Sequence, residues 1–115
     1  MKENFTSIIK WSEDTFPTAS LEGQLEKFAD EMKEWLATDR TDIVELADMA
    51  IVALSVARFS VAESMFCFEC VIRQLNSTLF TGFDLENAID EKMATNRKRE
   101  WNFNNGQYQH KELTE

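Results

Sequence analysis

The stretch D42-I-V-E-L-A-D-M-A-I-V-A-L-S-V-A57 decides how the rest of the chain is read. Between Ile43 and Ala57 nearly every residue is apolar, yet Glu45 and Asp48 interrupt the run three residues apart. On a helical wheel Glu45, Asp48, Val52 and Ser55 fall on one narrow strip, and the remaining surface is apolar. A desolvated carboxylate costs several kcal/mol unless it is protonated, paired or bound to a cation. Two carboxylates on the wet strip of an oily helix therefore call for a counter-charge.

Working outward, the preceding segment from Leu21 places Leu25, Phe28, Ala29, Met32, Trp35 and Leu36 at the 3.6-residue period, which predicts a helix ending near Ala37. Thr18 or Ser20 is positioned to cap it. Glu31 and Glu34, with Asp30 beside them, lie on the edge of its apolar stripe. The intervening T38-D-R-T-D42 supplies turn and cap residues. If the two helices pack antiparallel across it, Glu31, Glu34, Glu45 and Asp48 face one another over a shared seam. A Glu-x-x-Glu on a helix edge is more often a solvated face than a site; the pair inside the apolar helix gives this arrangement its weight.

The flanking segments complete an all-α bundle of four to five helices. A short first helix carries Phe5, Ile8, Ile9 and Trp11 inward and stops before Pro17, which disfavours helix in the residue ahead of it. Ser60 and Glu63 match an S-x-x-E capping box, so a fourth helix starts near Val61 with Met65, Phe68, Val71, Ile72 and Leu75 inward. The alternative is one continuous helix of about 33 residues, roughly 50 Å long. Asp84 can cap a last helix, which carries Leu85, Ala88, Ile89 and Met93 to about Trp101. Residues 102–115 read as a polar, mobile tail on a single domain spanning 1–115. A third helix that is apolar nearly all round has few partners in so small a chain, which predicts a homo-oligomer.

Composition narrows the function. The formal charge of −9 argues against a nucleic acid polymer, which is held by Lys and Arg. The start M1-K-E-N-F-T-S-I-I-K-W-S-E-D14 turns polar at once and the apolar run after Ile43 is broken by charge, so neither a secretion signal nor a membrane span is expected and the chain reads as cytoplasmic. Cys67 and Cys70 form a lone C-x-x-C and His110 stands far away, so two small helical residues are a better reading than zinc.

Carboxylates without histidine or thiol suit a hard cation, Mg²⁺ by default with Mn²⁺ as the alternative, whereas a di-iron bundle would want Glu-x-x-His. Downstream, E91-K-M-A-T-N-R-K-R-E-W101 sets Lys92, Asn96 and Arg99 on one face if the helix continues, where they can grip phosphate oxygens. Gathering of basic groups in a helix's last turns is the simpler explanation of that pattern. Trp101 can stack on a base or anchor the helix end.

The order of Glu-x-x-Glu, a short turn, Glu-x-x-Asp in an apolar helix and a late K-M-x-x-N-x-x-R-x-W resembles the MazG-like all-α nucleoside triphosphate pyrophosphohydrolases, in particular their small phage-type dATP/dGTP diphosphohydrolase branch. K10-W-S-E-D-T-F-P17 and G106-Q-Y-Q-H110 are loosely similar to the same branch. The resemblance implies that Glu31, Glu34, Glu45 and Asp48 bind Mg²⁺ and that Lys92, Asn96 and Arg99 contact the triphosphate of a (deoxy)nucleotide substrate. It also implies a homodimer or a dimer of dimers. On this reading Glu34 takes the proton of an attacking water, and Lys92 and Arg99 steady the departing pyrophosphate. Two features depart from the family pattern: the doubled acid reads Asp30-Glu31, and residues 61–82 between the acidic and basic motifs look like an inserted helix. The rival reading is a non-catalytic acidic helical interaction or regulatory protein of a phage or mobile element.

Overall fold

A computed structural model describes residues 1–104 and 107–110. Five helices carry the chain: α1 (Phe5–Thr15), α2 (Leu21–Ala37), α3 (Ile43–Val56), α4 (Val61–Asn76) and α5 (Gly82–Asn96). They are followed by an antiparallel hairpin of β1 (Trp101–Asn104) and β2 (Gln107–His110), in register Trp101 to His110 and Asn104 to Gln107. The fold is all-α as expected, with the hairpin its one sheet among the described residues. That hairpin occupies part of the segment read as a polar tail; residues 105, 106 and 111–115 of that segment lie outside the described residues.

Each helix begins at a residue whose side chain accepts an orphan backbone N–H. Asn4 and Ser7 form a reciprocal box on α1, Ser20 accepts from Gly23 at 3.0 Å, Asp42 from Val44 at 3.0 Å, and Ser60 from Glu63 at 3.2 Å. On α5 the cap is Thr81 rather than Asp84. Asp84 is the third residue of the box, its carboxylate accepting from the Thr81 N–H at 2.8 Å, so the helix starts at Gly82.

The central element is α3, which packs against α1, α2, α4 and α5. Ten of its residues, Leu46, Ala47 and Met49 to Val56, are buried. Most of its apolar circumference is thus covered within one chain, Val44 near its start staying exposed. The tight α2–α3 turn that makes this possible passes through two left-handed residues, Asp39 and Arg40. Such conformations cost on the order of 1 kcal/mol each outside glycine. Gln74 of α4 holds the turn by accepting from both Arg40 Nε (3.1 Å) and Trp35 Nε1 (3.0 Å).

Three expectations about helix faces change. In α1, Ile8 and Trp11 are buried but Phe5 is exposed and Ile9 only half-buried. In α2, Trp35 is fully buried, Leu25, Phe28 and Met32 are half-buried, and Ala29 and Leu36 are exposed, while the polar Gln24 and Glu31 turn inward. In α4 Val71 and Leu75 are buried as expected and Phe68 is half-buried against the core, but Ser64 and Cys67 complete the inner row while Met65 and Ile72 face outward. A small serine explains the difference: Ser64 Oγ donates to the Ala53 carbonyl at 2.7 Å, letting α4 approach the α3 backbone closely. The chain also breaks between α3 and α4 at residues 57–60, so the single 33-residue helix is not formed.

Candidate metal centre and anion pocket

Packing of α2 on α3 pairs Glu31 with Asp48 and Glu34 with Glu45, the reversed order of an antiparallel hairpin. One carboxylate oxygen from each of Glu31, Glu45 and Asp48 lies within 4.8 Å of the others. These groups sit at one end of a cavity of about 430 Å³, and the whole strip of α3 read from the sequence, Glu45, Asp48, Val52 and Ser55, lines it. Glu34 lines the same cavity from an exposed position at its rim.

The electrostatics follow from burial. Loss of water, reinforced by the neighbouring Asp48 charge, pushes the Glu31 carboxyl up to about 8. Burial likewise lifts Asp48 to about 6, even though the Lys92 ammonium nearby pulls in the other direction. Glu45 is raised by burial and by the adjacent Asp48 and Glu34. Two cations already answer part of the charge: Lys27, one turn before Glu31 on α2, lies 3.5 Å from it, and Lys92 of α5 lies 3.4 Å from Asp48. They do not complete the balance. Glu31 Oε2 and Glu45 Oε2 are buried with no hydrogen-bond partner, and the cavity wall carries five acids against three basic residues.

The opposite wall comes from α5 and the chain after it. All eight residues singled out in the sequence, Glu31, Glu34, Glu45, Asp48, Lys92, Asn96, Arg99 and Trp101, line this one cavity. Arg99 and Trp101 do so by another route than a continuing helix. The helix stops at Asn96, and Arg99 reaches the cavity from a tight turn in which its N–H donates to the Asn96 carbonyl. Tertiary packing accounts for the early stop. Trp101 Nε1 donates to the same carbonyl at 3.4 Å, and its ring packs edge-on against Phe16 (5.0 Å) and Trp11 (6.1 Å), drawing the chain off the helix axis.

Of this aromatic wall only Trp101 is expected from the sequence; Trp11 and Phe16 were not foreseen as part of the site. Trp11 and Phe16 are held there by Arg58, whose Nη1 donates to the Ser12 and Phe16 carbonyls at 2.9 Å each and so closes the C-terminal end of α1. Lys27 was also missed, although its spacing four residues before Glu31 is a sequence signal for an ion pair. Asn96 is buried with its Oδ1 unpaired, beside the basic and aromatic walls. The arrangement joins an anionic pole whose three carboxylates could hold a metal ion to a cationic pole and a wall of edge-on aromatic rings.

Cys67 is buried and Cys70 half-buried on α4, away from this cavity, and both are free thiols. Among the described residues no helix is long and apolar enough to cross a membrane. Comparison with known proteins gives no match to any family model, any curated protein or any solved structure.

Proposed function

We propose that this chain is a Mg²⁺-dependent nucleoside triphosphate pyrophosphohydrolase of the MazG-like kind, acting on a deoxynucleotide such as dATP or dGTP and releasing monophosphate and pyrophosphate. The observation that carries the reading is the pairing of two partnerless buried carboxylate oxygens, on Glu31 and Glu45, with the basic groups Lys92 and Arg99 across the same cavity. An acidic cluster alone would be a weak indication. Orphaned oxygens at its centre are costly unless a cation or proton meets them, and the donor set of carboxylates alone suits Mg²⁺ or Mn²⁺.

Glu31, Glu45 and Asp48 would hold the metal, with Glu34 completing the set from the rim. When bound, the ion supplies charge neutralisation at the triphosphate and acidifies a water. Lys92 and Arg99 donate to phosphate oxygens and steady the leaving group. Glu34, the most solvated of the four acids, accepts the proton of the attacking water. The water oxygen bonds to the α-phosphorus, the bridging α–β P–O bond breaks, and its electrons leave with pyrophosphate. The wall of Trp11, Phe16 and Trp101, whose rings stand edge-on to one another, offers apolar contact to the base, and the Asn96 amide a hydrogen-bonding group to base or sugar.

The test is to incubate the protein with the common ribo- and deoxynucleoside triphosphates and Mg²⁺ and measure pyrophosphate separately from orthophosphate. Pyrophosphate with the matching monophosphate is expected for at least one deoxynucleotide. Absence of pyrophosphate across the panel, together with no effect of Mg²⁺ and nucleotide on thermal stability, would favour the non-catalytic interaction protein instead.

A further inference from the structure

We infer, resting on the reading of the cavity as a polyphosphate site, that Glu3 and Arg97 form a clamp that positions Arg99 for the phosphate chain, Arg97 itself taking no phosphate. Of the run Arg97-Lys98-Arg99 only Arg99 lines the cavity. Arg99 is half-buried there, and its guanidinium has no hydrogen-bond or ion-pair partner among the described residues. A cation partly withdrawn from water and left unpaired is held ready for an anion.

The backbone that carries Arg99 has left the helix. After Asn96 it is held by single turns, the Lys98 N–H donating to the Thr95 carbonyl at 3.1 Å and the Arg99 N–H to the Asn96 carbonyl at 3.2 Å. Two side chains fix the direction that these turns leave open. Downstream, the Trp101 ring is seated on Phe16 and Trp11 at the C-terminal end of α1. Upstream, Arg97 donates through Nε to Glu3 Oε2 at 2.9 Å and through Nη2 to Glu3 Oε1 at 2.7 Å, just ahead of the start of α1. A two-bond fork of this kind sets orientation as well as distance. Arg99 therefore stands between two anchors, one at each end of α1.

Glu3 is itself firmly held. Ser7 Oγ donates to its Oε1 at 2.8 Å, and the backbone N–H groups of Glu3 and Lys2 donate to the Asp90 carboxylate at 2.9 and 2.8 Å. The Glu3 side chain is only 15 % exposed, unlike the solvated surface pairs that contribute little. Asp90 and Arg97 are seven residues apart and share one face of α5, so the start of the chain runs along that face. Lys92 stands about 140–160° around the helix from them. Glu3, Asp90 and Arg97 do not line the cavity. They brace α5 from behind while its front supplies the cationic wall, and a donor displaced by about 1 Å can lose up to about 100-fold in rate.

The clamp is tested by calorimetric titration with inorganic tripolyphosphate in Mg²⁺ and by kcat/KM for pyrophosphate release from dATP and dGTP, judged on whichever of the two the wild type shows. The variants are Arg97→Ala, Glu3→Gln, Arg99→Ala and the double variant Arg97→Ala with Arg99→Ala. Arg97→Ala and Glu3→Gln should each lower affinity or kcat/KM by roughly 10-fold. The rise in melting temperature with Mg²⁺ alone should stay as in wild type, because the carboxylates of α2 and α3 are untouched. In the Arg99→Ala background, loss of Arg97 should cost no more than about a further twofold, since nothing is left for it to position. A merely structural role would lower both backgrounds alike. A wild type that binds tripolyphosphate without releasing pyrophosphate ends the hydrolase reading, and the clamp then stands if Arg97→Ala weakens that binding only when Arg99 is present. A wild type that does neither overturns both. An Arg97→Ala or Glu3→Gln variant equal to wild type, or a double variant several-fold below Arg99→Ala, overturns the clamp and leaves the hydrolase reading intact.

Discussion

The Lys92 ammonium lies 3.4 Å from the Asp48 carboxylate, and both side chains are more than four-fifths buried. This contact ties α5 to the wet strip of α3 and makes one cation serve two purposes. In the ion-free chain Lys92 is the counter-charge that lets Asp48 stay inside; in the proposed reaction it is a donor to phosphate.

Replacing Lys92 by Met keeps the aliphatic stem and removes only the charge. Asp48 is then buried without its partner, and the ion-free protein should lose roughly 2 kcal/mol at pH 8, a partly solvated version of the cost of breaking a buried pair. Mg²⁺ should restore part of the lost melting temperature, because the ion takes over the role of counter-charge. An unchanged melting temperature without metal would show that the Lys92–Asp48 pair carries no stability.

Glu45→Gln tests the opposite sign. Here one charge leaves a crowded anionic cluster, so the metal-free chain should melt at the same or a higher temperature than wild type. The Mg²⁺-dependent rise in melting temperature should shrink or vanish. Since residues that merely orient a metal ligand cost 10- to 100-fold, loss of a direct ligand should lower pyrophosphate release by at least roughly 100-fold. Destabilisation without metal would instead assign Glu45 to a structural pair.

The raised carboxyl groups also fix how stability depends on pH. Folding holds protons on Asp48 and Glu31 that the unfolded chain releases near 3.8 and 4.5. The folded state therefore binds more protons in this window, and stability falls as pH rises. The fall runs from about 4 through 6, where Asp48 ionises, to about 8, where Glu31 does. Melting curves in EDTA across this range should decline by several degrees, and saturating Mg²⁺ should flatten the decline. A profile identical with and without Mg²⁺ would remove the ion from the cluster.

Arg58→Ala probes the aromatic wall at a distance from the carboxylates. It strips a charged donor from each of the Ser12 and Phe16 carbonyls, which keep the backbone N–H groups of Phe16 and Ala19 as partners, at a cost of roughly 1.5 kcal/mol. Because those carbonyls hold Trp11 and Phe16 in the cavity wall, nucleotide affinity should fall while the Mg²⁺-induced stabilisation remains. Equal loss of both would mean that Arg58 supports the whole bundle and not one wall.

Several site residues were legible because they share a helix. Glu45, Asp48, Val52 and Ser55 lie on one strip by helical geometry alone, and the five-residue turn before α3 leaves α2 little choice but to fold back along it. Arg99 and Trp101 were assigned to the cavity on a helix that does not extend to them. Their actual positions depend on Trp101 meeting Trp11 and Phe16, a contact between residues 85 to 90 positions apart in the chain. No local pattern encodes that meeting.

The sequence by itself determined the order of the helices, the Ser20 and Ser60 caps and the strip on which acids interrupt an apolar surface, because capping and periodicity act over three or four residues. Only the tertiary structure decided which face of α4 turns outward, where α5 ends and which cations reach the acids. Those outcomes depend on how closely helices can approach, as at Ser64 and Ala53, and on which distant groups supply charge and hydrogen bonds to those left without them.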